Sequence, residues 1–75
     1  LFRSMDQMDS IAVRIRIAMA RENVSARELA TRANLSESTI YKASKEENDE
    51  KTSLKTIRLL ADALNVSAKW LACLE

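Results

Sequence analysis

Glycine, proline and histidine are all absent from this 75-residue chain. Without glycine a phosphate-cradling Gly-rich loop cannot form, and tight hairpin turns lose the residue best suited to positive φ. Without histidine, zinc sites lose their usual nitrogen ligand and acid–base catalysis its usual group. A single cysteine, Cys73, cannot build an internal disulfide framework. It is also the one strong nucleophile, and it has no His partner to activate it. The chain is therefore read as a non-enzyme with no cofactor and no metal site. No apolar run approaches the ~18 residues needed to cross a membrane, and no signal-peptide core stands near the N-terminus. These absences favour a reducing, cytoplasmic setting with no membrane association.

What remains is rich in Ala, Leu, Arg, Glu and Lys, residues that favour helix. The length allows one small domain. Three tripeptides have the N-x-S form: Asn23-Val24-Ser25, Asn34-Leu35-Ser36 and Asn65-Val66-Ser67. As glycosylation sequons they would be of no use in a cytoplasmic protein. As joints between helices they fit well. Asn is the best non-glycine residue for the left-handed position that ends a helix, the apolar residue staples the joint, and Ser caps the next helix. Ser25 is followed three residues on by Glu28, a capping-box spacing, and Ser53 opens a further helical run after a polar stretch.

The spacing predicts five helices: about Ser10–Glu22, Ala26–Ala33, Glu37–Lys45, Leu54–Leu64 and Ala68–Cys73. Apolar faces recur at helical intervals. They comprise Ile11, Ile15, Ala18 and Met19 in helix one, Leu29, Ala30 and Ala33 in helix two, and Ile40 in helix three. Helix four adds Ile57, Leu60, Ala61 and Leu64. Val24, Leu35 and Val66 staple the joints, and Trp70 with Leu71 closes the end of the core. Residues 44–53, "SKEENDEKTS", hold no apolar residue and are expected as a solvated loop. Residues 1–8 are expected to be vector-derived or disordered, 9–73 to form the domain, and 74–75 to be a cloning remnant.

Two short helices flanking Asn34-Leu35-Ser36 fit a helix-turn-helix, whose second helix enters the DNA major groove. The wording is more specific than the spacing. "VSARELATRANLSESTIYKASK", followed by "LKTIRLLADALNVSAKWL", resembles the lambda-repressor-like, or Xre-family, helix-turn-helix domains, nearest to lambdoid phage repressor and Cro proteins. The family pattern is apolar-Ser-x-x-Glu-Leu-Ala, a Gly-apolar-Ser turn, an Ile four residues on, and a closing Leu-Ala-x-Ala-Leu-x-Val-Ser-x-x-Trp-Leu. Here these fall at Val24–Ala30, Asn34–Ser36, Ile40 and Leu60–Leu71, and the likeness covers about residues 10–72.

The resemblance implies an all-α, compact five-helix domain that binds double-stranded operator DNA sequence-specifically. It implies a phage or prophage transcriptional repressor, acting as a homodimer on a two-fold symmetric site. Helix three would read the groove, with Glu37, Ser38, Tyr41 and Lys42 at base edges. Phosphate contacts would come from Ser25, the Ala26 backbone, Arg27, Ser36, Thr39, Lys45, Thr52, Ser53 and Lys55. A weak dimer contact would involve Leu71 and Leu74, with a further C-terminal segment supplying strong dimerisation. Two other readings stand beside this one: an antitoxin of the same fold that binds a toxin and its own promoter, and a protein-interaction module that has lost DNA binding.

Departures from the family pattern sharpen these expectations. Ala26 stands where many members have Gln, and Asn replaces glycine at all three joints. Met19 and Ser44 stand where many members have an Arg–Glu ion pair. Removing one partner of a buried pair costs ~3–5 kcal/mol, whereas removing both can be neutral. An apolar contact between helices one and three, filled by Met19, is therefore expected.

Net charge is +1, but it is unevenly spread, with "EENDE" at 46–50 carrying the densest negative run. DNA affinity rests largely on phosphate neutralisation, so this run is expected either to bulge away from the duplex, to weaken non-specific binding, or to contact a partner. Glu37 suits the positive end of a helix and can also accept from cytosine N4. Tyr41 suits a thymine methyl, a phosphate or a plain rim position. Lys42 suits guanine O6/N7 or phosphate.

Overall fold

A computed structural model of the chain describes residues 10–45, 48 and 51–74. The described residues form five helices and no strand: α1 (Ile11–Glu22), α2 (Ala26–Ala33), α3 (Glu37–Ala43), α4 (Leu54–Leu64) and α5 (Ala68–Leu71). Among them no helix is long and apolar enough to cross a membrane. The expected segment 1–8, four of the five residues of the acidic run and Glu75 lie outside the described residues.

Every helix begins the same way. Ser10, Ser25, Ser36, Ser53 and Ser67 each hold an extended backbone and accept a hydrogen bond on Oγ from the N–H three residues on. The five bonds run from 3.1 to 3.3 Å. Each satisfies a donor that the helix itself leaves unpaired, and is worth about 0.5–2 kcal/mol. The capping box at Ser25 is half made: Glu28 N–H donates to Ser25 Oγ, while the Glu28 carboxylate turns to Arg32 at 2.9 Å.

Three helices also end alike. Asn23, Asn34 and Asn65 sit in the left-handed region with φ of 54°, 59° and 58°. The next residue then donates back five positions: Val24 to Met19, Leu35 to Ala30, Val66 to Ala61, at 2.8–3.0 Å. That 6→1 bond with an apolar residue at its donor is the Schellman arrangement, so the three N-x-S tripeptides are helix joints. Cys73, φ 63°, makes a fourth, in which Leu74 N–H donates to the Lys69 carbonyl. Leu74 N–H thus closes the last helix.

Three helices are shorter than expected. α1 starts at Ile11 rather than Ser10, because Ser10 is its cap. α3 stops at Ala43 rather than Lys45, because Ser44 caps it and turns its own Oγ onto the Ile40 carbonyl at 2.8 Å. α5 stops at Leu71 rather than Cys73, where the left-handed turn begins.

The core draws on all five helices. Ile15, Leu29, Ile40, Leu60, Leu64 and Leu71 are its largest fully buried side chains. α2 packs against both α3 and α4, while α1 crosses α3, α4 and α5. Met19 is half-buried and packs against this core. Among the described residues no polar or charged side chain is buried, so the core is held by apolar burial at roughly 1.5–3 kcal/mol per large side chain. A polar clasp lies at its edge: Arg14 donates to the Trp70 carbonyl, and its guanidinium lies 5.0 Å from the centre of the Trp70 ring.

Candidate nucleic-acid interface

α3 is held from one side only. Ile40 and Ala43 point into the core, and Leu35 staples the helix to the end of α2. Its other side is open: Glu37, Ser38, Tyr41 and Lys42 are all exposed, Tyr41 at 56%. An exposed tyrosine on a short helix whose opposite side is completely buried leaves a ridge of polar and aromatic groups standing off the body. Helical spacing dictates this outcome, since positions 37, 38, 41 and 42 share the face opposite 40 and 43.

Beside that ridge lies a groove of about 220 Å³ between α3 and the N-terminal end of α4. Thr39 and Lys42 line it from α3, and Thr52, Ser53 and Thr56 line it from the start of α4. Lys51 and Asn48 complete the wall. The lining is mixed: Ala43 adds an apolar wall, and of the four hydroxyls Thr52 donates to the Asn48 carbonyl and Ser53 to Thr56 Oγ1. The two ammonium groups and the positive end of an eleven-residue helix at one edge favour an anion there.

Asn48 fixes the geometry of the groove. Its Nδ2 donates to the Lys42 carbonyl at 3.0 Å and its N–H to the Lys45 carbonyl at 3.0 Å. Its own carbonyl accepts from both the N–H and the Oγ1 of Thr52, each at 3.1 Å. The end of α3 and the start of α4 are thereby tied through one residue. Asn48 and Lys51 were not among the expected contacts. The signal for Asn48 was present, as the one neutral residue inside "EENDE" and a type that bonds nearby backbone readily.

The expected phosphate contacts fall into groups. Thr39, Thr52 and Ser53 meet in the groove. Ser25 and Arg27 are exposed on the first turn of α2, whereas Ala26 is half-buried and packs against the core. Arg27 Nε lies 3.9 Å from Glu37 Oε1, linking the first turns of α2 and α3. Ser36 Oγ is engaged at home, with the Thr39 N–H and with the hydroxyls of Ser38 and Thr39 at 3.1 and 2.8 Å. Lys45 and Lys55 are exposed but do not line the groove.

A family model described as the Cro/C1-type HTH DNA-binding domain matches residues 14–69. The chain belongs to that family. No curated protein and no solved structure matches it. The match runs from Arg14 in α1 to Lys69 in α5, so it takes in all of α2, α3, α4 and the groove. The exposed ridge of α3 and the groove beside it both lie within the matched DNA-binding domain.

One expectation for the far end of the HTH domain is corrected. Leu71 was expected at a dimer contact, but it is fully buried in the single chain and has no surface to offer a partner. Its apolar spacing in a four-residue helix serves the core instead. Leu74 remains exposed, at 74%.

Proposed function

We propose that this HTH domain is the operator-reading part of a transcriptional repressor, and that α3 enters the major groove of a two-fold symmetric site bound by a pair of domains. The observation that carries this reading is the open face of α3 running alongside the lysine- and hydroxyl-lined groove. A helix in the major groove has a phosphate strand at its flank. The groove takes one phosphate, held by Lys42, Lys51, Thr52 and Ser53. Ser25 and Arg27 approach another at the start of α2, where free N–H groups point outward. Phosphate contacts of this kind set register, while base edges carry the sequence information.

Four side chains face the bases, Lys42 among them because its ammonium carries three donors and serves a base edge as well as the phosphate. Glu37 accepts from a cytosine N4, Lys42 donates to guanine O6/N7, Ser38 serves as a short adaptable partner, and Tyr41 packs on a thymine methyl. Leu74 is the one exposed leucine beyond α5 and gives the pair little apolar contact, so pairing is expected on the operator rather than in dilute solution.

Selection from random duplex DNA tests the reading. The expected product is a symmetric site whose half-sites lie about one helical turn apart. On that site Lys42→Ala is expected to weaken binding by about 1–3 kcal/mol, and Glu37→Gln to change the preferred base at one position per half-site. If gel shifts across operator variants give unchanged affinity and preference for both variants, the docking model is wrong.

A further inference from the structure

Glu37 poses a problem for its own surface. The carboxylates of the described residues are those of Glu22, Glu28, Glu37 and Asp62. Glu28 is paired with Arg32 at 2.9 Å, and Glu22 accepts from Asn65 Nδ2 at 3.1 Å at the opposite end of α4 from the groove. Glu37 alone of the four stands on the open face of α3. Brought against DNA, its charge opposes a polyanion, yet its acceptor oxygens are what a cytosine N4 requires.

Arg27 is placed to resolve this. It lies on the first turn of α2, ten residues earlier in the chain, with Nε 3.9 Å from Glu37 Oε1. The Arg27 side chain is 88% exposed and that of Glu37 48%. In the unbound domain such a pair is wet and contributes almost nothing to stability. Its value lies in what the guanidinium still has to offer. A planar fork of five N–H donors can serve two acceptors at once, and only one atom of this one approaches Glu37.

We propose that Arg27 is a specificity-determining residue that acts through Glu37: on the operator its guanidinium bridges a backbone phosphate and the Glu37 carboxylate, cancelling that charge and aiming its free oxygen at the base. This rests on the docking of α3 proposed above. The phosphate fixes the guanidinium, the guanidinium fixes the carboxylate, and expulsion of water strengthens both links. A point charge at position 27 neutralises phosphate equally well but cannot hold two acceptors in one plane. Arginine and lysine at this position therefore separate affinity from selectivity.

The test uses the duplex that the wild-type domain selects, its variants at the base opposite Glu37, and a non-specific duplex. Fluorescence anisotropy at several salt concentrations gives affinity, salt slope and base discrimination. Arg27→Lys is expected to keep the non-specific affinity and the salt slope while losing about tenfold in discrimination at that one base. Arg27→Ala is expected to lose discrimination and to flatten the salt slope by about one. In a Glu37→Gln background, Arg27→Lys is expected to leave discrimination unchanged, because the two act as a unit. The bridge is overturned if Arg27→Lys discriminates as the wild type does, or if its loss and that of Glu37→Gln simply multiply. A wild-type domain that selects no sequence overturns the docking of α3 first, and this bridge with it. Both side chains are exposed, so unchanged circular dichroism of the variants separates these outcomes from unfolding.

Discussion

Replacing Asn34 by alanine is expected to cost roughly 1 kcal/mol, and replacing it by glycine nothing, because only the backbone angle at φ 59° is at issue. A shift of the urea midpoint at constant m-value measures this. Asn23, Asn34 and Asn65 were legible as joints because a preference for the left-handed region belongs to the residue itself. The caps Ser25, Ser36, Ser53 and Ser67 were legible for the same reason, whereas Ser10 reads as the first residue of its helix. The role of Leu71 was not. An apolar residue in a very short helix reads alike whether it fills a core or meets a partner, and only its complete burial decides. The candidate base-reading residues lie between these cases. Helical spacing sets Glu37, Ser38, Tyr41 and Lys42 on one face, but the reason to expect DNA there came from the family likeness.

At the scale of helices, the order and the core faces followed from spacing, whereas the contacts that cross the fold did not. Arg14 and Trp70 are 56 residues apart in the chain, and nothing local to either announces the other. Their clasp joins the first helix to the last. Arg14→Ala loses a cation–π contact and a hydrogen bond to a carbonyl, and is expected to destabilise the domain by about 1–2 kcal/mol. In a domain of this size that lowers Tm by about 4–16 °C, measured by thermal circular dichroism. DNA affinity of the folded fraction is expected to stay the same, since the clasp lies on α1 and α5. Ile40→Ala acts on the site and the fold together. It empties a fully buried position on the helix that carries the ridge, at about 2–5 kcal/mol. Much of a small domain's total stability lies in that range, so loss of cooperative urea unfolding is the expected readout.

Across the whole molecule, a net charge of +1 says little about DNA, because position outweighs sum. Lys42 and Lys51 share the groove, and each change to alanine is expected to flatten the slope of log affinity against log salt by about one. Arg21 is the control. It stands with Leu64 and Asn65 beside the far end of α4, roughly 16 Å of helix from the groove, and Arg21→Ala is expected to leave the slope as it was. Lys51 could not be assigned from the sequence, since its place depends on how the chain turns at Asn48. The three asparagine joints have one more consequence, for timing. Each closes through a bond reaching only five residues back, so the direction of every following helix is fixed locally, before distant parts of the chain meet. No proline bond has to isomerise. Stopped-flow refolding should therefore show one phase, complete within milliseconds or less, with nothing on the scale of tens of seconds.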